Sequence, residues 1–498
     1  MEPSTQLTTT GELQALVTLA APKCISILSF YALSILELIF AGHLGTAEMT
    51  AVAFSQIVFD FTIIVFTQGF NKGLNALGSQ AFGAKNLLLL GRYAQMGCLG
   101  VTVVTLPLAF SWWFVGDLLR LFGVSPASVV LAQQYSKLST LWLWPRLIYQ
   151  YLTVYFDSQQ IVLPTAIVSV SFVVVHVGMN VLVVFGVPSW GWAGLGFAGL
   201  PIVMCITMYG RLGVYLLYMM WYRQHHAKSW VWNLEFCQAK YIIPQVRVGL
   251  PLAVGQVFEN SQLQMMALMA SVVSEVSLDS HNSMIILLLF LTSPVNALSA
   301  AGVIRMGMYL GGNQPQRAQR LSQMVKNCIF TVAVVNSSIL MLNRDAIGPM
   351  YSDDPEIWDA MTEICTLGAL GYMITSLFYS ARATLMAQAR AFPIMGTYMY
   401  IAKCVCVCIV HGGCCVVAYF CGAWLVGIPA AYGIGILQQA GLVGIWIGMA
   451  LGHIATTTIA LHASGSSDWG DEAAQAVYRS NEKSQLVQGE AVALLERL

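Results

Sequence analysis

The sequence predicts an all-α polytopic membrane protein, with about twelve transmembrane helices arranged as two tandem six-helix bundles related by a pseudo-two-fold axis along the membrane normal. Three observations carry this expectation: the composition, the number of long apolar stretches, and an internal duplication. Of 498 residues, 57% are hydrophobic and 9% charged, and the mean hydropathy is +0.70. A water-soluble fold cannot cover that much apolar surface with so few charges, whereas a bilayer needs no such cover. The net charge is zero and the pI is near 7, so no basic field points to nucleic acid as a partner.

A bilayer core takes about 20 apolar residues per helical span. Stretches of that kind fall at approximately 14–41, 48–79, 91–115, 131–154, 162–186, 194–222, 242–272, 282–310, 323–343, 358–388, 393–420 and 441–462. A further apolar stretch, 421–440, is interrupted by Gly427, Pro429, Gly433 and Gly435 and is left unassigned. Lys and Arg set the orientation, because basic residues accumulate on cytosolic connections. Lys85 and Arg92, Arg223, Lys228, Lys240 and Arg247, Arg305, Arg317, Arg320 and Lys326, then Arg382, Arg390 and Lys403 follow the even-numbered spans, against Arg120, Lys137 and Arg344 on the other side. Both termini are therefore expected in the cytosol. The acidic segment 343–363 is expected outside, with Asp345, Asp353, Asp354, Glu356, Asp359 and Glu363. The expected organisation is a lobe over 1–222, a cytosolic linker over 223–241, a second lobe over 242–463 and a mobile polar tail over 464–498, with no cleavable signal peptide at the start.

The duplication is legible from paired motifs. Pro22 in LAAP and Pro251 in VGLP are 229 residues apart, and Gly83 in AFGAKN and Gly311 in YLGGN are 228 apart. Gln159 and Pro164 in QQIVLP match Gln388 and Pro393 in QARAFP, both at 229. The register then breaks, since Gly194 answers Gly444 at 250. Six spans per copy is an even number, so both copies enter the membrane the same way, the arrangement of parallel-repeat transporters whose halves rock about a shared cavity.

An ionisable side chain within a span is costly, so each is a functional candidate. Glu259 lies mid-span in VGQVFENSQLQMM, about 12 Å past Pro251 at 1.5 Å per residue. Its neighbours Val257, Phe258 and Met265 supply the apolar setting that a proton carrier uses. Glu37, in SILELIFAGHLG, nears the outer interface, where water is available. His176 and Asn180 share one face of the fifth span at i, i+4 and are candidates to complete an ion or proton site with Glu37; a packing hydrogen bond is the alternative. Asp60, Lys72, Asp157, Arg146 and Arg211 also fall in or near spans, with Asp157 expected to be solvated at a cytosolic end. Tyr31, Trp144 and Tyr149 are candidates for cation-π contact.

Other patterns carry less. Cys404, Cys406, Cys408, Cys414, Cys415 and Cys421 with His411 resemble a metal set, yet residues two apart on a helix point about 200° apart and cannot converge on one ion. Met265, Met266 and Met269 read as a packing or cavity-lining stripe rather than a metal path. Glu490 with Leu494 and Leu495 has the spacing of an acidic dileucine signal on a cytosolic tail. No nucleophile-base motif, phosphate loop or metal cluster points to an enzyme, and no cofactor is expected.

From about residue 13 to 460 the chain resembles the multidrug and toxic compound extrusion (MATE) family. The resemblance rests on AGHLGTAEMTAVA, GLNALGSQAFGAKN, FDSQQIVLP, GLPLAVGQVFEN, GVIRMGMYLGGNQ and GLVGIWIG in that order. It implies a monomeric secondary transporter of the plasma membrane or a vacuole-like endomembrane, surrounded by membrane lipid. Such a transporter exports amphipathic organic cations or drugs in exchange for protons or sodium by alternating access; organic anions, natural products or lipid-linked substrates are the alternatives. Glu259 falls on the family's span-seven acid, which serves cation coupling. Glu37 falls on the span-one acid of the bacterial branches and Asn180 on their span-five asparagine, while His176 replaces another asparagine. The chain departs from the family in span ten, where ITSLFYS at 374–380 carries no acid, and at Ile286, where animal members have one. An anion site would require a buried base such as Lys72 or Arg382.

Overall fold

A computed structural model describes residues 9–121, 125–187, 191–232, 234–351, 354–390 and 420–481. Fifteen helices can be numbered among them. In the first half these are α1 (Thr9–Leu44), α2 (Thr46–Gly83), α3 (Leu87–Trp112), the short α4 (Val115–Leu121), α5 (Pro126–Asp157), α6 (Leu163–Asn180) and α7 (Gly199–Leu216). The second half has α8 (Ala239–Val273), α9 (Glu275–Gly311), α10 (Pro315–Leu342), the short α11 (Arg344–Tyr351), α12 (Pro355–Ala387), α13 (Phe420–Leu437), α14 (Gly441–Gly465) and α15 (Trp469–Ser480). Ten of these runs are long and apolar enough to cross a membrane. The charge-bearing α5 and α8, of 32 and 35 residues, have the length as well. Together they make twelve, with α13 as the eleventh. The stretch left unassigned in the sequence is therefore a helix, whereas the expected span 393–420 lies, apart from Phe420, outside the described residues. The cysteines at 404–415, His411 and the dileucine pattern lie outside them too.

Helix starts follow local chemistry. Asn86, Ser125, Ser274 and Asp354 each turn a side-chain oxygen back to a first-turn N–H, satisfying a donor that has no helical partner. Pro126, Pro315 and Pro355 occupy first-turn positions where a missing N–H costs nothing.

The duplication reappears in the backbone. Lys85 and Asn313, 228 apart, both take left-handed φ of 60° and 54°, and Gln160 and Ala389, 229 apart, take 65° and 52°. Non-glycine residues seldom adopt that region, so the recurrence at the repeat spacing marks the same turn built twice.

The chain divides into two compact units, one comprising Pro22–Gly78 with Asn86–Val246, the other residues 1–21, Ser79–Lys85 and Arg247 onward. In the first unit α5 packs on α3 and α7, and α7 on α6. Its interior holds an aromatic stack in which Phe59 lies 3.6 Å from Trp112 and 5.9 Å from Tyr135 between ring centres. In the second unit α12 is central, contacting α9, α10 and α14. Met266, Met269, Met284 and Met361 sit in its apolar core, the packing role expected of the methionine stripe. Within the same unit the end of α2 crosses the end of α9. A Cβ on Gly83 would lie 2.0 Å from the Met308 carbonyl oxygen, and one on Gly311 would lie 1.9 Å from that of Gln80. Residues 80 and 83 precede 308 and 311 by 228, so this crossing maps onto itself when the copies are exchanged, as a two-fold contact must. Gly83→Ala forces two backbones apart by more than an ångström, and a fall of several degrees in the thermal midpoint is expected in detergent, with Ala84→Ser as the neutral neighbour.

The tail departs from expectation. Residues 469–480 form α15, capped by Asp468 on Gly470 and Asp471 N–H and packed on α9 and α10. Arg390 Nε pairs with Glu472 Oε1 at 3.3 Å; Arg479 donates to the Gln388 carbonyl at 2.9 Å and to Gln80 Oε1 at 3.3 Å. Burial, only partly offset by Arg390 and Arg479, holds the Glu472 carboxyl above the usual carboxylate range. The docked helix thus binds that proton more tightly than the undocked one, so docking strengthens as pH falls through the raised folded value and weakens above it. Hydrogen exchange over 469–480, corrected for intrinsic rates, is expected to show more protection at about pH 5 than at about pH 7.5, and Glu472→Gln to erase the difference.

Candidate functional site

Glu259 projects from α8 into a recess of the second unit, and the residue is 9% exposed. The recess, about 610 Å³ counting its open mouth, is walled by Leu263, Ile285, Leu288, Tyr372, Trp446 and His453 among others. Two residues of α12 meet the carboxylate. Tyr379 donates its hydroxyl to Oε1 at 2.8 Å, and Arg382 brings Nη1 to 3.8 Å from Oε2. The guanidinium lies over the Tyr379 ring at 4.3 Å and reaches Asn296 Oδ1 at 3.3 Å. Oε2 is buried with no hydrogen-bond partner, which leaves it as the oxygen open to a proton. Trp446 Nε1 is likewise buried without an acceptor, a donor available to something held in the recess. The segment 374–380, which lacks the expected acid, therefore delivers a phenol to Glu259, and the next turn delivers a guanidinium.

Glu37 lies in the first unit and is 2% exposed, more deeply buried than Glu259 rather than near water as expected. Its recess is lined by Phe30, Ser34, Gln56, Asp60, Trp142 and Arg146. Tyr135 and Gln56 flank the carboxylate and Arg146 is within electrostatic reach, while Oε1 has no hydrogen-bond partner. Arg146 pairs with Asp60 at 3.2 Å and stacks on Phe30 and Trp142 at 4.8 and 5.3 Å. At the 229-residue spacing Glu259 corresponds to Phe30 and Glu37 to Met266, so the two acids are not repeat-equivalents.

His176 and Asn180 are both fully buried on α6 and are not among the residues lining the Glu37 recess. Thr207 donates its hydroxyl to the Val203 carbonyl at 2.8 Å, so His176 Nδ1, 3.0 Å from Thr207 Oγ1, is assigned as the donor there. Asn180 Nδ2 donates to the His176 carbonyl at 2.9 Å. His176 Nε2 and Asn180 Oδ1 remain as buried acceptors without partners.

Asp157 is not solvated. It is 1% exposed and pairs with Lys23. Tyr149 does make a cation-π contact, but with the chain's own Arg211 at 4.1 Å; Trp144 is partly exposed and donates to Thr102 at 3.1 Å. Lys72 is half-buried. Sequence reasoning missed His453 and Trp446, whose span carries no charge to flag them, and treated Arg382 only as a hypothetical anion ligand.

The MatE family model matches residues 22–182 and 251–411, two segments separated by the same 229 residues as the paired motifs. Protein DETOXIFICATION 10 of Arabidopsis thaliana is 23% identical over 477 residues, covering 94% of this chain and 90% of the relative. Multidrug and toxin extrusion protein 1 of Xenopus tropicalis is 23% identical over 488 residues, covering 96% and 78%. Among solved structures, the eukaryotic MATE transporter AtDTX14 superposes with a TM-score of 0.82 at 20% identity, covering 94% of this chain and 99% of that one. A MOP superfamily transporter from Pyrococcus furiosus gives 0.78 at 13% identity, covering 94% and 97%. With a family model covering more than half its length on top of a parallel duplication and, among the described residues, ten helices long and apolar enough to cross a membrane, the chain belongs to the MatE family and is an integral membrane, secondary-active efflux transporter.

Proposed function

We propose that the chain exports small amphipathic organic cations in exchange for protons, with Glu259 as the proton-binding group and Tyr379 and Arg382 as the side chains that meet it. The observation that carries this reading is the asymmetry of the carboxylate, with Oε1 held by Tyr379 and Oε2 unbonded opposite Arg382. With Glu259 ionised, carboxylate and guanidinium offset each other, and an entering organic cation competes with Arg382 for the same group. When a proton takes Oε2, Arg382 keeps its charge and loses its counter-ion. The recess becomes net positive and expels the cation. At the 3.8 Å separation and an effective dielectric constant of about 20, this interaction is worth about 4 kcal/mol, or about three decades in affinity.

Arg382 also bears on the choice of ion. A hard cation takes several oxygen ligands, and a guanidinium beside the carboxylate occupies that space and repels sodium, whereas a proton needs one lone pair. Glu37, with Asn180 and His176 as further unpartnered acceptors of the same unit, is assigned a supporting cation-binding role. The functional lobes are taken as 1–222 and 242–463, with both termini in the cytosol. An organic anion is the second reading, favoured by Arg382, which would anchor a carboxylate or sulfonate once Glu259 is protonated.

Reconstituted vesicles loaded with a fluorescent organic cation, or with a fluorescent organic anion, and given either a pH or a sodium gradient test both readings. Cation movement driven by the pH gradient and lost in Glu259→Gln is expected. Cation movement driven by sodium alone overturns the proton assignment, and movement of the anion alone replaces the first reading with the second.

A further inference from the structure

A second concavity, of about 940 Å³ counting its open mouth, lies in the second unit where α10 and α15 begin and α12 and α14 end. Arg320 and Lys326 of α10, Thr384 of α12, Ser464 of α14 and Trp469 of α15 contribute to its wall. No carboxylate lines it, and among the described residues neither Arg320 nor Lys326 forms an ion pair. The nearby acids are engaged elsewhere. Asp468 Oδ1 accepts the Gly470 and Asp471 N–H groups at 2.8 and 3.3 Å, and Glu472 faces Arg390. The floor is polar and fixed: Thr384 is 4% exposed and shares a 2.8 Å hydrogen bond with Ser322.

Such a recess, with two unpaired cations and an indole at its rim, calls for a phosphate. The adjoining face of α10 selects the source of that phosphate. Lys326, Phe330 and Val334 lie at i, i+4 and i+8 and so share one face of the helix; Phe330, Val334 and Ile339 are 44%, 37% and 51% exposed. A basic, hydroxyl-lined end leading into an open apolar stripe matches an amphiphile, headgroup at one end and acyl chain along the other. A soluble phosphate has no use for the stripe. By the Lys and Arg bias this end faces the cytosol, the side where anionic lipids are concentrated, and Trp469, four residues past the end of α14, supplies an indole of the kind that anchors at an interface.

We infer that this recess binds the headgroup of an anionic phospholipid of the cytosolic leaflet, with Arg320 and Lys326 on the phosphate, Trp469 at the interface and the acyl chain along Phe330 and Val334. The site is independent of Glu259 and of the transported substrate. Near a membrane surface each basic residue contributes a factor of about five in affinity for anionic lipid, so the pair is expected to contribute about 25-fold.

Native mass spectrometry of the full chain, titrated with phosphatidic acid, phosphatidylcholine or soluble glycerol 3-phosphate, tests this. Phosphatidic acid is expected to be retained about 25-fold more tightly than phosphatidylcholine, and Arg320→Gln with Lys326→Gln to remove that preference. Arg223→Gln with Lys228→Gln, on the linker, is expected to leave it intact. If the double variant fails to fold, Arg320→Gln alone must still cut the preference about five-fold. An undiminished preference in the recess variants overturns the assignment, as does an equal loss in the linker variant. Glycerol 3-phosphate displacing phosphatidic acid at matched concentration overturns the lipid and leaves a soluble phosphate as the ligand.

Discussion

Glu259→Gln is expected to abolish pH-driven substrate movement, with flux at the level of protein-free vesicles. Gln keeps the shape of Glu and still accepts the Tyr379 hydroxyl bond, so the helix and the recess stay in place. It cannot ionise. Arg382, 15% exposed at its side chain, then loses the charge of Glu259, and the recess is held permanently in the state that protonation would produce. A cationic substrate loses about 4 kcal/mol of attraction, roughly 10³ in affinity. Arg382→Gln is expected to act in the opposite direction: the carboxylate loses its tethered cation, organic cations bind more tightly at neutral pH, and sodium becomes a competitor where it was not before. This opposition separates a charge-balance role from loss of fold, since both variants remove the same ion pair yet shift cation affinity to opposite sides of wild type. A Glu259→Gln protein that still moves cation under a pH gradient would sink the proposal.

The second large effect is on stability. Asp157→Asn is expected to cost about 3 kcal/mol, the lower end of the range for breaking a buried ion pair. Asp157 is 1% exposed and its only described ionic partner is Lys23. The Lys23 side chain retains 21% exposure and can reach water in part, which places the cost below that of a fully enclosed charge. Replacing both groups together, by Lys23→Met and Asp157→Leu, is expected to recover most of the loss, because the penalty of the single change lies in the charge left behind. Thermal unfolding followed in detergent reads the contrast. Equal destabilisation by the single and double changes would show that the side-chain shape, not the charge, is what matters there.

These two sites differ in how legible they were. Glu259 is legible in the sequence because a lone carboxylate in an apolar run stands out whatever surrounds it, and the duplication and the long apolar helices are legible from equally local signals, whereas the glycines and proline of 421–440 obscure α13. Asp157 reads as solvated in the sequence because its partner lies 134 residues away. The place of Glu37 late in a span puts it near water, yet Phe59, Tyr135 and Trp142, brought together from α2 and α5, enclose it. The polar composition of 464–498 hid α15, which owes its docking to Arg390, Gln388 and Gln80 on other elements.

Composition, windowed hydropathy and motif offsets suffice for the membrane as solvent, for the parallel repeat and for the lone acid of α8. Each of these is a sum over neighbouring residues: hydropathy over a window, glycine and proline at a fixed offset, one charge against an apolar background. The folded arrangement is what brings Glu259 together with Tyr379, 120 residues away, and with Arg382. It likewise decided that Asp157 and Glu37 are buried and that the tail carries a docked helix. A charge pair is stabilised across space by Coulomb attraction and the exclusion of water, and neither leaves a periodic trace along the chain.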